Sequence, residues 1–304
     1  MSGPTISYIT PTFAPDIERF ALLRHSLRLF SPDILHIAYV DTEDQGVFRA
    51  RFGGEPGLRI MTTADALPPT LDAQRRFWRG WRGYVADRIA WRTGLEPRTY
   101  SGWKMQQLVK LYAAAKAETE AVVFLDSDIV LCAPVPASTY HSGGDLKLLE
   151  TRATTFEDFA FDLSCRKIFR DPLNEPAEAF SYIHQAPRFL RRTAAVLLER
   201  LEKIHGSWTA RFYREPFPSE YNLLGYAARF FENYRSYRLD EASPAEWLYS
   251  VKSPDRLAEA LAACRREQGR RQFFLVQSKM QLTDRDYIPT LQSLIDTLAA
   301  RSGA

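Results

Sequence analysis

Apolar positions in the first third of the chain alternate between two periods. Ile6 to Thr10 is a short apolar run that stops at Pro11, and Ile34 to Val40 is a second that stops at Asp41. Between them, Ile17, Phe20, Leu23, Leu27 and Phe30 recur every three or four residues. Continuous runs of this length predict buried strands, and the wider spacing predicts a helix with one apolar side. Pro32 ends that helix, and Leu58 to Met61 predicts a third strand. Strand, helix and two further strands on short links predict the start of an α/β sheet.

Further along, residues 71–92 and Trp103 to Lys116 read as helices, the latter with Met105, Leu108, Leu111 and Tyr112 on its apolar side. Pro134 and Pro136 interrupt the chain. Leu146 to Glu150 predicts a strand and Thr155 to Phe169 a helix. Pro187 to His205 predicts a helix with Phe189, Val196, Leu197, Leu201 and Ile204 inward. Helices are also predicted over Glu220 to Phe231, Asp255 to Arg266 and Tyr287 to Ala300, with a strand at Phe273 to Val276. Ser243 reads as a cap before Trp247 and Tyr249. There is no repeat, low-complexity tract or linker, so a single domain over residues 1–304 is the expectation.

The run Ala121-Val122-Val123-Phe124-Leu125-Asp126-Ser127-Asp128-Ile129-Val130-Leu131 carries the most chemistry. Its apolar part predicts a core strand, and carboxylates inside such a run need partners or a metal. At the exposed end of a strand, Asp126 and Asp128 would point the same way, because side chains alternate. Two oxygen ligands there suit a hard divalent cation, Mn²⁺ or Mg²⁺. The plain alternative is a polar turn whose Asp caps the next segment.

Composition narrows the classes. The chain of 304 residues is 45% hydrophobic and 25% charged, ordinary for a globular protein. A net charge of +3 and no recognised motif argue against nucleic acid. Arg75, Arg76, Arg79, Arg82, Arg88 and Arg92 share a stretch with Trp78, Trp81 and Trp91. This reads either as an anion- or sugar-binding surface or as a helix with a solvated Arg face. Cys132, Cys165 and Cys264 lack metal spacing. The N-terminal residues have neither a basic start nor a long apolar core, and no run is long enough to span a membrane. A cytoplasmic location is expected, with peripheral membrane association left open by the basic and aromatic content.

Four motifs occur in order: Thr10-Pro11-Thr12; Gly102-Trp103-Lys104-Met105-Gln106-Gln107-Leu108-Val109-Lys110-Leu111; Leu125-Asp126-Ser127-Asp128; and Pro218-Ser219-Glu220-Tyr221-Asn222. In this order the chain resembles a family of bacterial glycosyltransferase-like proteins with the GT-A fold, over roughly residues 5–280. The resemblance implies an α/β fold with a mixed, mostly parallel central sheet flanked by helices. Residues to about 135 would form the nucleotide-binding half and residues from about 136 the acceptor side.

The resemblance also implies roles. Asp126 and Asp128 would hold the metal. Thr10, Thr12, Asp41, Lys104, Gln107, Lys110 and Ser127 would contact the nucleotide-sugar donor, since ligands gather at the carboxyl ends of parallel strands. Glu220 would be the reacting carboxylate, although Ser219 and Glu220 also read as simple helix-cap residues. Tyr221, Asn222, His184, Gln277 and Ser278 would touch acceptor or sugar. Gln277 and Ser278 stand after the late strand, where a third metal ligand is often found and where no histidine follows.

The expected activity is therefore a metal-dependent glycosyltransferase. It would move a sugar from a nucleotide-sugar donor, a UDP-sugar foremost, to a hydroxyl of a glycan or lipid-linked acceptor. One rival is a nucleotidyltransferase, against which the glycine-free segment Thr10 to Pro15 argues. The other is a non-catalytic protein that binds a nucleotide sugar or glycan.

Overall fold

The computed structural model describes residues 3–78, 85, 89, 102–170, 178–240, 248–251, 256–267, 270–276 and 283–302. The strands are β1 (Ile6–Thr12), β2 (Leu35–Val40), β3 (Leu58–Thr62), β4 (Ala121–Phe124), β5 (Ile129–Leu131), β6 (His141–Ser142), β7 (Asp145–Leu149), β8 (Thr151–Arg152), β9 (Phe180–Ser181), β10 (Arg188–Leu190), β11 (Tyr237–Asp240), β12 (Leu248–Val251) and β13 (Phe273–Val276). The central sheet runs in the order β10-β4-β1-β2-β3. β1 pairs in parallel with both β2 and β4, β2 pairs in parallel with β3, and β10 closes the edge antiparallel to β4. This is the mostly parallel, helix-flanked α/β architecture expected.

β1, β2 and β4 are buried along most of their length and read as largely apolar runs for that reason, whereas β3 at the edge is only partly buried. Helix α1 (Ile17–Phe30) joins β1 to β2, and α2 (Gln45–Phe52) joins β2 to β3. The register sets Thr12 opposite Val40 and Ile9 opposite Phe124. The carboxyl ends of β1, β2 and β4 therefore share one edge, which brings Thr12, Asp41 and Asp126 to the same side of the sheet.

Among the described residues, three smaller sheets complete the frame, β11-β7-β6, β12-β13-β5 and the pair β8-β9. The main core is one cluster that reaches from Ile6 to Ala299, while Phe20, Ala38, Val40, Phe48 and Phe52 form a satellite under α2. The three cysteines are free and buried. Among the described residues, no helix is long and apolar enough to cross a membrane.

Several expectations change. The Asp-Ser-Asp run is not one strand. β4 stops at Phe124, residues 125–128 turn, and β5 resumes in another sheet against β13. Strand alternation therefore does not orient Asp126 and Asp128; the turn does. The segment expected as a helix from Pro187 starts with β10, and the helix runs from Arg191 to His205. Phe189 is inward, as expected, but as a strand residue opposite Val122. Glu220–Tyr226 is α-helical, and Ala227–Phe231 continues as a π-helix. Of the Arg/Trp stretch, Pro69–Trp78 is helical, as are Val85 and Ile89; Trp81, Trp91 and most of its arginines lie outside the described residues, as do Ser243 and Trp247.

Candidate functional site

The helix Gly102–Lys116 crosses beneath the sheet edge with Met105, Leu108, Val109 and Leu111 buried. Gln107 and Lys110 fall on the same side one turn apart, and both are buried too. Polar groups this deep need partners, and the helix Glu220–Tyr226 supplies them. Lys110 Nζ stands 2.8 Å from Asp126 Oδ1 and 3.1 Å from Glu220 Oε1, and donates to Tyr221 Oη at 2.6 Å. The ammonium also sits 4.7 Å from the centre of the Tyr221 ring. Gln107 Oε1 accepts the Glu220 backbone N–H at 3.3 Å.

This cluster joins three chain segments that sequence order keeps far apart. Its charge is unbalanced, since Lys110 brings one positive charge to two carboxylates. Burial works against the Lys110 charge, but Asp126, Tyr221 and Glu220 outweigh it and hold the ammonium well above the usual lysine range. Glu220 moves the other way from a simple ion pair. Burial raises its carboxyl above the usual range, and the attraction of Lys110 only partly offsets this. A buried carboxyl with enhanced proton affinity is a group that can exchange a proton with a bound ligand.

Asp126 is the open member, its side chain 48% exposed. Ser127 is buried, and its hydroxyl donates to Asp16 Oδ2 at 3.4 Å. Asp16 continues to Arg19 at 3.2 Å, and Arg19 to Asp284 at 2.8 Å. Burial, with the Asp284 and Asp126 charges, raises the Asp16 carboxyl against the pull of Arg19 and Ser127. Asp128 is partly buried, and its carbonyl accepts the Val276 N–H at 3.1 Å, which ties the turn to β13.

The other predicted residues divide. Thr12 is buried at the sheet edge, and its hydroxyl has no hydrogen-bond partner. Asp41 meets Arg75 at 2.9 Å, and Arg75 also meets Asp72 at 3.1 Å. Arg75 is thus a buried anchor of the sheet edge, not part of a solvated Arg face. Thr10 is fully buried, and its hydroxyl shares a hydrogen bond of 2.9 Å with His36. Burial, then Arg24, pushes His36 down to about 3, so that ring is neutral.

Lys104 donates to the carbonyls of Tyr213 and Glu215, each at 2.7 Å. Asn222 is fully buried and accepts the Tyr182 N–H at 2.9 Å. Its Nδ2, like Gln107 Nε2, is buried without a hydrogen-bond partner. Burial lowers His184 to about 4, and its Nε2 has no partner either. Gln277 and Ser278 lie outside the described residues. Asp16 was missed at the sequence level, and Arg75 was named only as one of the arginines of the Arg/Trp stretch. Each is an ordinary helix residue by pattern, and only the fold turns it toward the edge.

Residues 5–295 match the family DUF6492, a family of unknown function, and the chain belongs to that family. No curated protein sequence matches the chain. Among solved structures, mouse xyloside xylosyltransferase 1 aligns at 8% identity and a TM-score of 0.44, covering 91% of this chain and 99% of its own. The galactosyltransferase LgtC aligns at 9% identity and a TM-score of 0.47, covering 96% and 95%. The bifunctional glycosyltransferase WbbM aligns at 11% identity and a TM-score of 0.48. This chain covers 53% of WbbM, and the alignment covers 100% of this chain.

Proposed function

We propose that this chain is a glycosyltransferase of the GT-A type, working on a nucleotide-sugar donor, a UDP-sugar foremost, and a hydroxyl of a glycan or lipid-linked acceptor. The observation that carries the reading is the meeting of Asp126, Lys110 and Glu220 at the carboxyl edge of a parallel sheet. Ligands of such sheets gather at that edge. A single domain serves both substrates in this reading.

A hard divalent ion, Mn²⁺ or Mg²⁺, fits the donor set. Asp126 and Asp128 offer carboxylate oxygens from one turn, and the cluster carries more negative than positive charge. Among the described residues no group of three or more His, Cys, Asp or Glu forms a ready cage. An ion held by one or two carboxylates, with water and phosphate oxygens completing its shell, needs none. When bound, such an ion supplies Lewis-acid stabilisation to a departing diphosphate.

The chain's own groups do the rest. Thr12 and Gln107 keep unpartnered polar atoms for donor oxygens. Lys110 holds Asp126 and Glu220 in place and moderates their mutual repulsion. Glu220, its proton affinity raised by burial, takes the proton of the acceptor hydroxyl. One observation favours a second reading, a nucleotide-sugar-binding protein without catalysis: Glu220 is 4% exposed and already paired with Lys110.

The test is thermal stabilisation by UDP, GDP and CMP with and without Mn²⁺, followed by donor turnover. A ligand that binds only the folded state raises its melting temperature. A Mn²⁺-dependent shift with UDP and release of UDP from a UDP-sugar support the proposal. A shift without turnover supports the binding reading, and no shift with any nucleotide rejects both.

A further inference from the structure

The helix Phe156–Phe169 is apolar on its wrong side. Asp162, Ser164, Cys165, Ile168 and Phe169 are its buried residues. On the opposite face, Phe156, Phe159 and Leu163 are 85%, 51% and 52% exposed. Their spacing of three and four puts them in one stripe. Lys167 continues the same stripe toward the helix end, Arg170 caps the helix just beyond it, and both are exposed. Isolated exposed apolar residues are common, but an aligned row of them marks an interaction surface.

One neighbouring feature extends the stripe. At the end of the helix, Lys167 and Arg170 line an open cleft of about 610 Å³ with Arg211, Arg214 and His205. The surface thus runs from an apolar half, Phe156, Phe159 and Leu163, into a basic half.

We infer that this face docks on an anionic phospholipid surface. Exposed aromatic rings enter the boundary between headgroups and acyl chains, while Lys and Arg meet anionic headgroups beside them. The charge of the cleft argues for anionic lipid over an apolar protein groove. The inference stands without the proposed reaction, since docking needs no donor.

The full chain is sedimented with vesicles of phosphatidylcholine alone and with vesicles containing phosphatidylglycerol, at low and high salt. Expected is cosedimentation with the anionic vesicles only, weakened by salt. Phe156→Ser with Phe159→Ser should lower that affinity about tenfold or more. Lys167→Glu with Arg214→Glu should lower it at least roughly tenfold. Both pairs change exposed side chains, so circular dichroism should be unchanged. Failure to bind either vesicle, or equal binding by both pairs and the wild type, overturns the inference. So does self-association abolished by the phenylalanine pair, which would assign the face to a second copy of the chain.

Discussion

Lys110 and Glu220 form an ion pair of 3.1 Å in which each side chain is only 6% exposed. Removing one member of a buried pair strands the other charge. Lys110→Met should therefore destabilise the fold by about 3–5 kcal/mol. Adding Glu220→Gln to it should recover part of that loss. Urea denaturation of the wild type, both single variants and the double variant measures the coupling. Strict additivity would mean that the two groups are independent.

The same carboxyl sets a pH dependence. Glu220 titrates above its ordinary 4.5 in the folded chain, chiefly through burial. The folded state then holds its proton more tightly than the unfolded state. Its contribution is fully present below about pH 4.5 and is lost as pH rises through the raised folded value. Glu220→Gln removes this loss. Its stability relative to wild type should rise as pH increases across that window, in denaturation curves at stepped pH. A pH-independent difference would place the titration elsewhere.

Asp128 tests the cation. Asp128→Ala leaves the backbone bond from Val276 N–H to the residue 128 carbonyl intact. The melting temperature without ligand should change little, while the Mn²⁺-dependent shift by UDP disappears. Scanning fluorimetry with and without Mn²⁺ reads both. An undiminished shift would remove Asp128 from the metal site.

Lys104 separates binding from scaffolding. Its ammonium lies 2.7 Å from each of the Tyr213 and Glu215 carbonyls. Lys104→Met should cost about 1–3 kcal/mol of stability. Nucleotide affinity, measured by calorimetry on the folded fraction, should stay within about twofold, well under the tenfold that 1.4 kcal/mol represents. A selective loss of affinity would return Lys104 to the donor site.

Gly225 supports the helix of Glu220. A Cβ added there would lie 2.2 Å from the Tyr182 ring. Gly225→Ala forces that ring away and should destabilise by about 1–3 kcal/mol. Turnover at saturating donor should also fall, because Tyr182 N–H is bonded to Asn222 on the same helix. Unchanged stability would show that Tyr182 moves freely.

What pattern could reveal follows from which forces act locally. β1 and β2 were legible because strands buried along most of their length must be largely apolar, and α1 because its apolar positions keep helical spacing. Phe189 was misread because a short edge strand leading into a helix shares the apolar character of a helix start. The Asp-Ser-Asp turn was misread as strand because both flanks are core strands, although of different sheets. Lys110 and Glu220 were named separately, but no local signal joins residues so far apart in the chain. Thr10 was read as the end of a strand that in fact runs on through Pro11 to Thr12, and only the buried His36 beside it determines where its hydroxyl goes.

Residues 125–128 are both the carboxylate-bearing turn and the covalent step from the five-stranded sheet to the sheet of β12, β13 and β5. The angle between those sheets and the placement of Asp126 and Asp128 are therefore a single mechanical variable. Any load that tilts the smaller sheet, through β13 and its bond to Asp128, is transmitted to the carboxylates as through a lever whose fulcrum is the site itself.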